Sequence, residues 1–203
     1  MNAKFELIAG TEVEVSGVKL FRIRALISFG SVIKGDVGGF VASEKNLSGD
    51  GNAWVHGNAQ VHGDARVYGN AQVHGNAQVY GDARVYGNAQ VHGNARVYDD
   101  AWVYGNAWVY GDARVYGNAQ VHGNAWVYGD AQVTVDAEKT PIFIGGIDYP
   151  VTITARHLRA GCQIHTFQEW RDFSREAIIK MDGQSALKFY PKLLEIMNVF
   201  CKG

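Results

Sequence analysis

The chain has 203 residues, 19 basic against 20 acidic side chains and a formal charge of −1, so no global field draws it toward nucleic acid or an anionic membrane. Its 25 glycines are evenly spaced and joined by only 3 prolines, unlike a flexible linker, and no apolar run approaches the roughly 20 residues that cross a bilayer. The late cysteines, Cys162 and Cys201, and a start, MNAKFELIAG, without a basic stretch ahead of a long apolar run lead to the expectation of a soluble protein of a reducing cytoplasm.

Residues 1–50 open with FELIAGTEVEVSGVKLFRIRALISF, whose alternation predicts three short strands. GSVIKGDVGGFVASEKNLSGDGNAWVH then predicts an irregular first coil or two, with bends at Gly35, Gly38, Gly39 and Gly49. It is no phosphate loop, because the Lys-Ser/Thr ending and a following helix are both missing. An N-terminal β cap is expected here, since a raw solenoid end offers unpaired edges to other chains.

From Gly51 to Thr134 the chain divides into fourteen hexads without an insertion or deletion, such as GNAQVH and GDARVY. Ala holds the third place and Val the fifth in all fourteen, while Gly holds the first in every word except the one that begins at Asp99. The second place is Asn or Asp, the fourth Trp, Gln or Arg, and the sixth His or Tyr until Thr134. A fixed period is the mark of a stacked solenoid. Within the word, Ala-x-Val-aromatic has the period of two of a half-buried strand, and Gly followed by Asn or Asp supplies residues that tolerate a left-handed corner.

Read from the valine, V-Y-G-N-A-R resembles the hexapeptide repeat of left-handed parallel β-helices, with Val and Ala at the two inward sites. The resemblance covers residues 51–134; it departs where the site after the aliphatic residue, usually small in that family, is His or Tyr. It implies three sides and eighteen residues per coil and a left-handed wind, so that the whole chain is expected to be an all-β solenoid, a left-handed parallel β-helix with an N-terminal β cap and a small α-helical C-terminal cap. The divisions follow as 1–50, 51–134 and 135–203.

With eighteen residues per coil, every third word shares a face and the variable places become columns. One face carries Trp54, Gln72, Gln90, Trp108 and Trp126 beside His56, His74, His92, Tyr110 and Tyr128. The second carries Gln60, Gln78, Arg96, Arg114 and Gln132 beside His62, Tyr80, Tyr98 and Tyr116, and the third Arg66, Arg84, Trp102 and Gln120 beside Tyr68, Tyr86, Tyr104 and His122. Trp108, Trp126, Tyr110 and Tyr128 are expected to form an outward aromatic block on the first face, with Trp102 and Tyr104 on the next. Such a block suits a subunit interface, a platform for a small molecule, or rings laddered together under the C-terminal segment. The corner column Asp64, Asp82 and Asp100 repels itself unless neutralised, and Arg66 and Arg84 are expected to compensate it.

After Thr134 the word decays into VDAEKTPIF. IGGIDYPVTITARHL predicts a hairpin, and Thr166 with Glu169 a capping box that starts a short helix. Ser174 predicts a second helix to about Met181, stopped at Asp182-Gly183. A last helix, about Ser185 to Phe200, puts Leu187, Leu194, Met197 and Phe200 on an apolar stripe, with Pro191 kinking it or marking a new start. Cys162, His165 and Trp170, with His157, Arg159 and Arg171 nearby, are core packing or a ligand pocket; one C-x-x-H pair without a second is a poor zinc signature.

Many hexapeptide proteins are trimeric acyltransferases with a histidine general base and acyl-CoA along the coil, and the resemblance brings that activity as an alternative. Here His56, His62, His74, His92 and His122 all occupy the ordinary sixth place, interchangeable with Tyr, and no loop interrupts the coils. The end segments GDVGGFVASEKNLS and GCQIHTFQEW are similar to those of uncharacterised phage and prophage proteins built on the same word. The leading expectation is a non-enzymatic binding or scaffold protein. It would be a homo-oligomer, a trimer for preference, that meets a host protein or a small anionic, nucleotide-like aromatic molecule through the stacked rings, Arg96, Arg114 or the basic C-terminal residues. No pattern calls for a cofactor or a metal.

Overall fold

The structure, a computed structural model, describes residues 3–134, 141–154 and 156–201. It divides into two compact units, Met1–Thr140 and Pro141–Gly203. Among the described residues no helix is long and apolar enough to cross a membrane.

In the first unit fourteen two-residue strands, from Trp54–Val55 to Gln132–Val133, form three parallel ladders. Trp54 pairs with Gln72, Gln60 with Gln78, and Arg66 with Arg84, a step of eighteen each time. Amides of the second, fourth and sixth places donate to carbonyls of the first, third and fifth places one coil on, as Asn70 does to Gly87, Gln72 to Ala89 and His74 to Val91 at 2.8, 3.0 and 2.8 Å. The valines of all fourteen words are 0% exposed, and the alanines 0–1%. The coil is therefore a parallel β-helix with the valines and alanines of all fourteen words in its interior.

Corners add a second network. Asn52, Asn70, Asn88, Asn106 and Asn124 form a ladder in which each side-chain amide donates to the next at 3.0–3.1 Å. Asn76 and Asn94 begin a second, which ends on Asp112 Oδ1. The first-place glycines have positive φ. At Gly93 (φ +73°) a Cβ would also lie 3.0 Å from Gly111 N. Asp99, at φ 57°, is the one word-initial residue to hold this conformation with a side chain, and its Oδ2 accepts from Gly117 N at 3.2 Å.

The expected N-terminal strands are β1 (Phe5–Leu7), β2 (Val13–Val15) and β3 (Val18–Ala25), followed by β4 (Val37–Val41). Strand β4 joins the two architectures, antiparallel to β3 on one edge and parallel to Gln60–Val61 on the other. Gly35 turns the chain at φ +96°, but Gly38 and Gly39 do not act as bends. They lie inside β4, where a Cβ on Gly38 would meet Val55 O at 2.5 Å and Trp54 Cζ2 at 2.8 Å. Trp54 differs from its column mates, being 1% exposed between Phe5 and Phe29. Lys4, 1% exposed, donates to Ser48 O at 3.2 Å and Ala53 O at 2.7 Å and lies over the Phe29 ring. Burial outweighs the nearby Asp50 and brings its pKa down to about 8.

The irregular first coil is fixed by a short 3-10 turn at Glu44–Asn46. Phe40 pairs with Gln60 and Leu47 bridges to Val67, a step of twenty in both cases. The side from Leu47 to Val55 therefore has eight residues where all later sides have six. Asn46, 0% exposed, secures the seam by donating to Gly63 O and Ala65 O at 3.0 and 2.9 Å.

The second unit holds more sheet than the sequence suggests. With the fourteen coil strands counted as β5 to β18, strands β19 (Ile142–Ile144), β20 (Val151–Ile153), β21 (His157–Ala160) and β22 (Gln163–Thr166) form an antiparallel meander, so the expected hairpin is its first half. The Thr166–Glu169 capping box opens α1 (Phe167–Asp172). Ser174 caps α2 (Arg175–Phe200), which is interrupted by non-helical Asp182 and Gly183, where the Asp-Gly pair was expected to stop it. Pro191 does not mark a new start: it lies inside the helix with helical backbone. The buried stripe is Ile178, Phe189, Leu193 and Met197 rather than one ending on Phe200, which is 48% exposed.

Gly38→Ala tests the crossing of β4. Overpacking against the Val55 carbonyl and the Trp54 ring is expected to lower unfolding free energy by about 1–3 kcal/mol, measured by chemical denaturation.

Candidate functional site

The sixth-place rings stand outside the coil as three columns. His56 and His74 stack at 4.2 Å, Tyr80 and Tyr98 at 5.0 Å, and Tyr68 and Tyr86 at 4.8 Å, with planes within 6°. The spacing is that of neighbouring strands, so inner ring faces are spent on each other. Glutamines of the next coil tie several columns down: His56 Nε2 donates to Gln72 Oε1 at 2.7 Å, and Tyr104 and Tyr116 hydroxyls donate to Gln120 and Gln132.

Fourth-place arginines stand in register as two pairs, Arg66 over Arg84 and Arg96 over Arg114. Like charges directly opposite one another destabilise a ladder. Among the described residues neither pair has a carboxylate within ion-pair distance; the ion pairs there are Arg24–Glu6 and Lys45–Asp64. The expected compensation of the acidic corner is thus not what forms. Asp64 meets Lys45 of the irregular first coil at 3.7 Å, and Arg84 lies over the Trp102 ring at 4.9 Å.

Between these arginines and the first coil lies a hollow of about 510 Å³, lined by Lys45, Ser48, Arg66, Val67, Tyr68 and Arg84. Its origin is one substitution in the pattern. Leu47 bridges to Val67 and Ser48 N donates to Val67 O at 2.9 Å, so Ser48 stands in the sixth place, at the level above Tyr68. The column Tyr68, Tyr86, Tyr104, His122 stops there for want of a ring. Arg96 and Arg114, singled out from the sequence, border a hollow of about 380 Å³ that also takes in Asp112, so its field is weaker. Sequence reasoning missed Lys45 and Ser48. Only the register of an irregular segment reveals them.

The aromatic block is assembled as expected. Trp108 and Trp126 stack at 5.7 Å, and Tyr110 and Tyr128 at 5.6 Å. Trp126 is 48% and Tyr128 39% exposed, while Trp102 and Trp108 are half-buried. Trp102 belongs to the neighbouring ladder, edge-on to Tyr86.

The C-terminal candidates converge only in part: Cys162 and Trp170 border one cavity of the second unit, and His165 packs on Trp170. Trp170 is buried, donates from Nε1 to Leu158 O at 2.7 Å, and packs edge-on with His165 and Phe173. Leu158 pairs with His165 across β21 and β22, whereas His157 and Arg159 alternate to the other face. Arg171 reaches the Cys201 carbonyl at 3.4 Å. Cys162 is exposed. Among the described residues no three His, Cys, Asp or Glu side chains gather into a metal-binding group.

Burial lowers the pKa of His62, His74 and His92. His74 falls furthest, to about 4, because the charges of His56 and His92 add to its burial; the Nε2 of His92 is buried without a partner. A histidine whose folded pKa lies below its unfolded value of about 6.5 binds fewer protons folded than unfolded between the two values. Stability is then complete above about pH 6.5 and declines as pH falls toward 4. Melting temperature is expected to drop over that window. His74→Tyr, the residue other words carry there, should remove on the order of 1 kcal/mol of the loss after discounting for solvent screening, read by denaturation at pH 7 and 4.5.

Comparison with known proteins bears on the coil alone. The YdcK β-solenoid repeat matches residues 59–75, 77–93, 89–105, 95–111 and 107–123. No curated protein matches the chain. With three parallel ladders stepping by eighteen residues, these matches make the chain a repeat β-solenoid protein.

Proposed function

We propose that this chain is a non-enzymatic binding protein whose coil is a rigid platform for a small anionic aromatic ligand of the nucleotide type. The observation that carries the reading is the interrupted tyrosine column, whose vacant level at Ser48 is flanked by Lys45, Arg66 and Arg84. A planar ring stacked on Tyr68 continues the column, and its phosphate lies against the two arginines, relieving a like-charge pair that has no carboxylate within ion-pair distance among the described residues. The hollow of about 510 Å³ is in the range of small-molecule sites. In the phage or prophage setting suggested by the end segments, such a protein captures a host-derived ligand or the host protein that carries it.

The acyltransferase alternative has less behind it. His74, with a pKa near 4, is a weak base at neutral pH, and the other coil histidines hold the same laddered place. Self-association belongs to the same proposal: the exposed Trp126 and Tyr128 are a patch for a homotrimer.

Calorimetry with adenosine monophosphate is expected to show saturable binding without turnover, weakened by salt. Arg66→Ala with Arg84→Ala should lower affinity at least tenfold, Ser48→Tyr should fill the slot and abolish binding, and Arg96→Ala with Arg114→Ala should change it little. Unaltered binding by Ser48→Tyr would reject the site, and release of CoA from acetyl-CoA would favour the enzyme. Trp126→Asp should reduce the sedimenting mass from trimer to monomer; an unchanged mass removes the interface from this face.

A further inference from the structure

The second unit contains a cavity of about 280 Å³ between the meander and the two halves of α2. Its apolar wall is Trp170, Ile178, Met181, Phe189 and Leu193, with Tyr149 and Tyr190 beside them. The polar groups of the wall are largely committed. Trp170 Nε1 donates to Leu158 O, and the Tyr190 hydroxyl to Trp170 O. What remains toward the cavity is the exposed Asp182 carboxylate, whose Oδ2 accepts from the Tyr149 hydroxyl, and the Gln163 amide, whose Oε1 lies 3.4 Å from His165 Nε2 and whose Nε2 donates to Cys162 Sγ at 3.8 Å.

Asp182 is the one charged residue of the lining, and no lysine or arginine belongs to it. Its place there depends on the break in α2. Asp182 adopts φ −157°, ψ 45° and Gly183 φ 59°, ψ −141°, so the helix stops for two residues beside the cavity. Gly183 adopts its positive φ without steric cost, so the break is an ordinary junction between two helices that leaves Asp182 at the cavity edge. Tyr149 and Phe189 meet edge to face at 5.1 Å within the same wall. Aromatic faces around a lone carboxylate are complementary to a cation with an apolar body, and a cavity of about 150 Å³ already holds a benzene ring.

We propose that this cavity binds a small organic cation, a protonated primary amine on an aromatic or branched apolar body. The ammonium sits at Asp182 and the Tyr149 ring, and the body fills the space against Trp170, Ile178, Met181 and Leu193. The site lies in the other unit from the Ser48 slot and shares no residue with it, so each stands or falls alone.

The test uses the full chain with phenethylamine as probe, and phenethyl alcohol and phenylacetate as its neutral and anionic counterparts, by calorimetry at pH 7. Phenethylamine is expected to bind saturably, at least tenfold more tightly than the alcohol, with phenylacetate weakest. Asp182→Asn should cut amine affinity at least tenfold and leave the alcohol unchanged. Ala186→Leu, which fills the cavity without touching the charge, should weaken both. Cys162 borders the cavity, so bound amine should also slow its alkylation by iodoacetamide. Equal binding of amine and alcohol, full affinity in Asp182→Asn, or no binding by the amine to a wild-type chain with a normal melting curve would each overturn the proposal.

Discussion

Registry between words eighteen residues apart is the constraint on which the coil depends. A parallel ladder fixes which residue lies over which, and with two-residue strands there is no spare length in which an error could be absorbed. One residue inserted within a strand would turn that word's valine outward and its ring inward. Burial of one small and one medium side chain per word does not by itself offset the entropy of ordering six residues. The remainder comes from contacts that exist only in step: backbone ladders, asparagine to asparagine, ring on ring.

That same constraint explains what was legible in the residues. The inward valines and alanines, the three faces and the membership of each column follow from counting in sixes and eighteens, because the physics leaves no freedom once the word is fixed. Trp54 escaped this arithmetic. It holds the same place as Trp126 but is buried under Phe5 and Phe29, since its neighbours lie in the N-terminal strands rather than in another word. Lys45 as the partner of Asp64 was hidden for the same reason. In the second unit the strand Gln163–Thr166 has no alternation to announce it, all four residues being half-buried. Capping at Thr166 and the break at Asp182-Gly183 were readable because they rest on local chemistry. Pro191 does not open a new helix: Phe189, Leu193 and Met197, buried on both sides of it, belong to one continuous helical stretch.

Chemistry gathers where regularity lapses. Within the uniform coil the ring faces are spent on one another and the histidines share one role. A basic hollow instead opens at the seam, where Ser48 replaces a ring and Lys45 joins two arginines. In the second unit the cavity opens beside the two residues at which a helix is interrupted. A repetitive scaffold supplies rigidity, and its exceptions supply the concave, unlike surroundings that recognition needs.

The place of β4 between two kinds of sheet has a consequence for growth. Strands of a uniform solenoid have no natural length, and a bare terminal rung is a template on which an identical molecule can continue the spiral. Strand β4 gives its outer edge to antiparallel β3, so on that ladder no bare parallel rung is left for an identical molecule to extend.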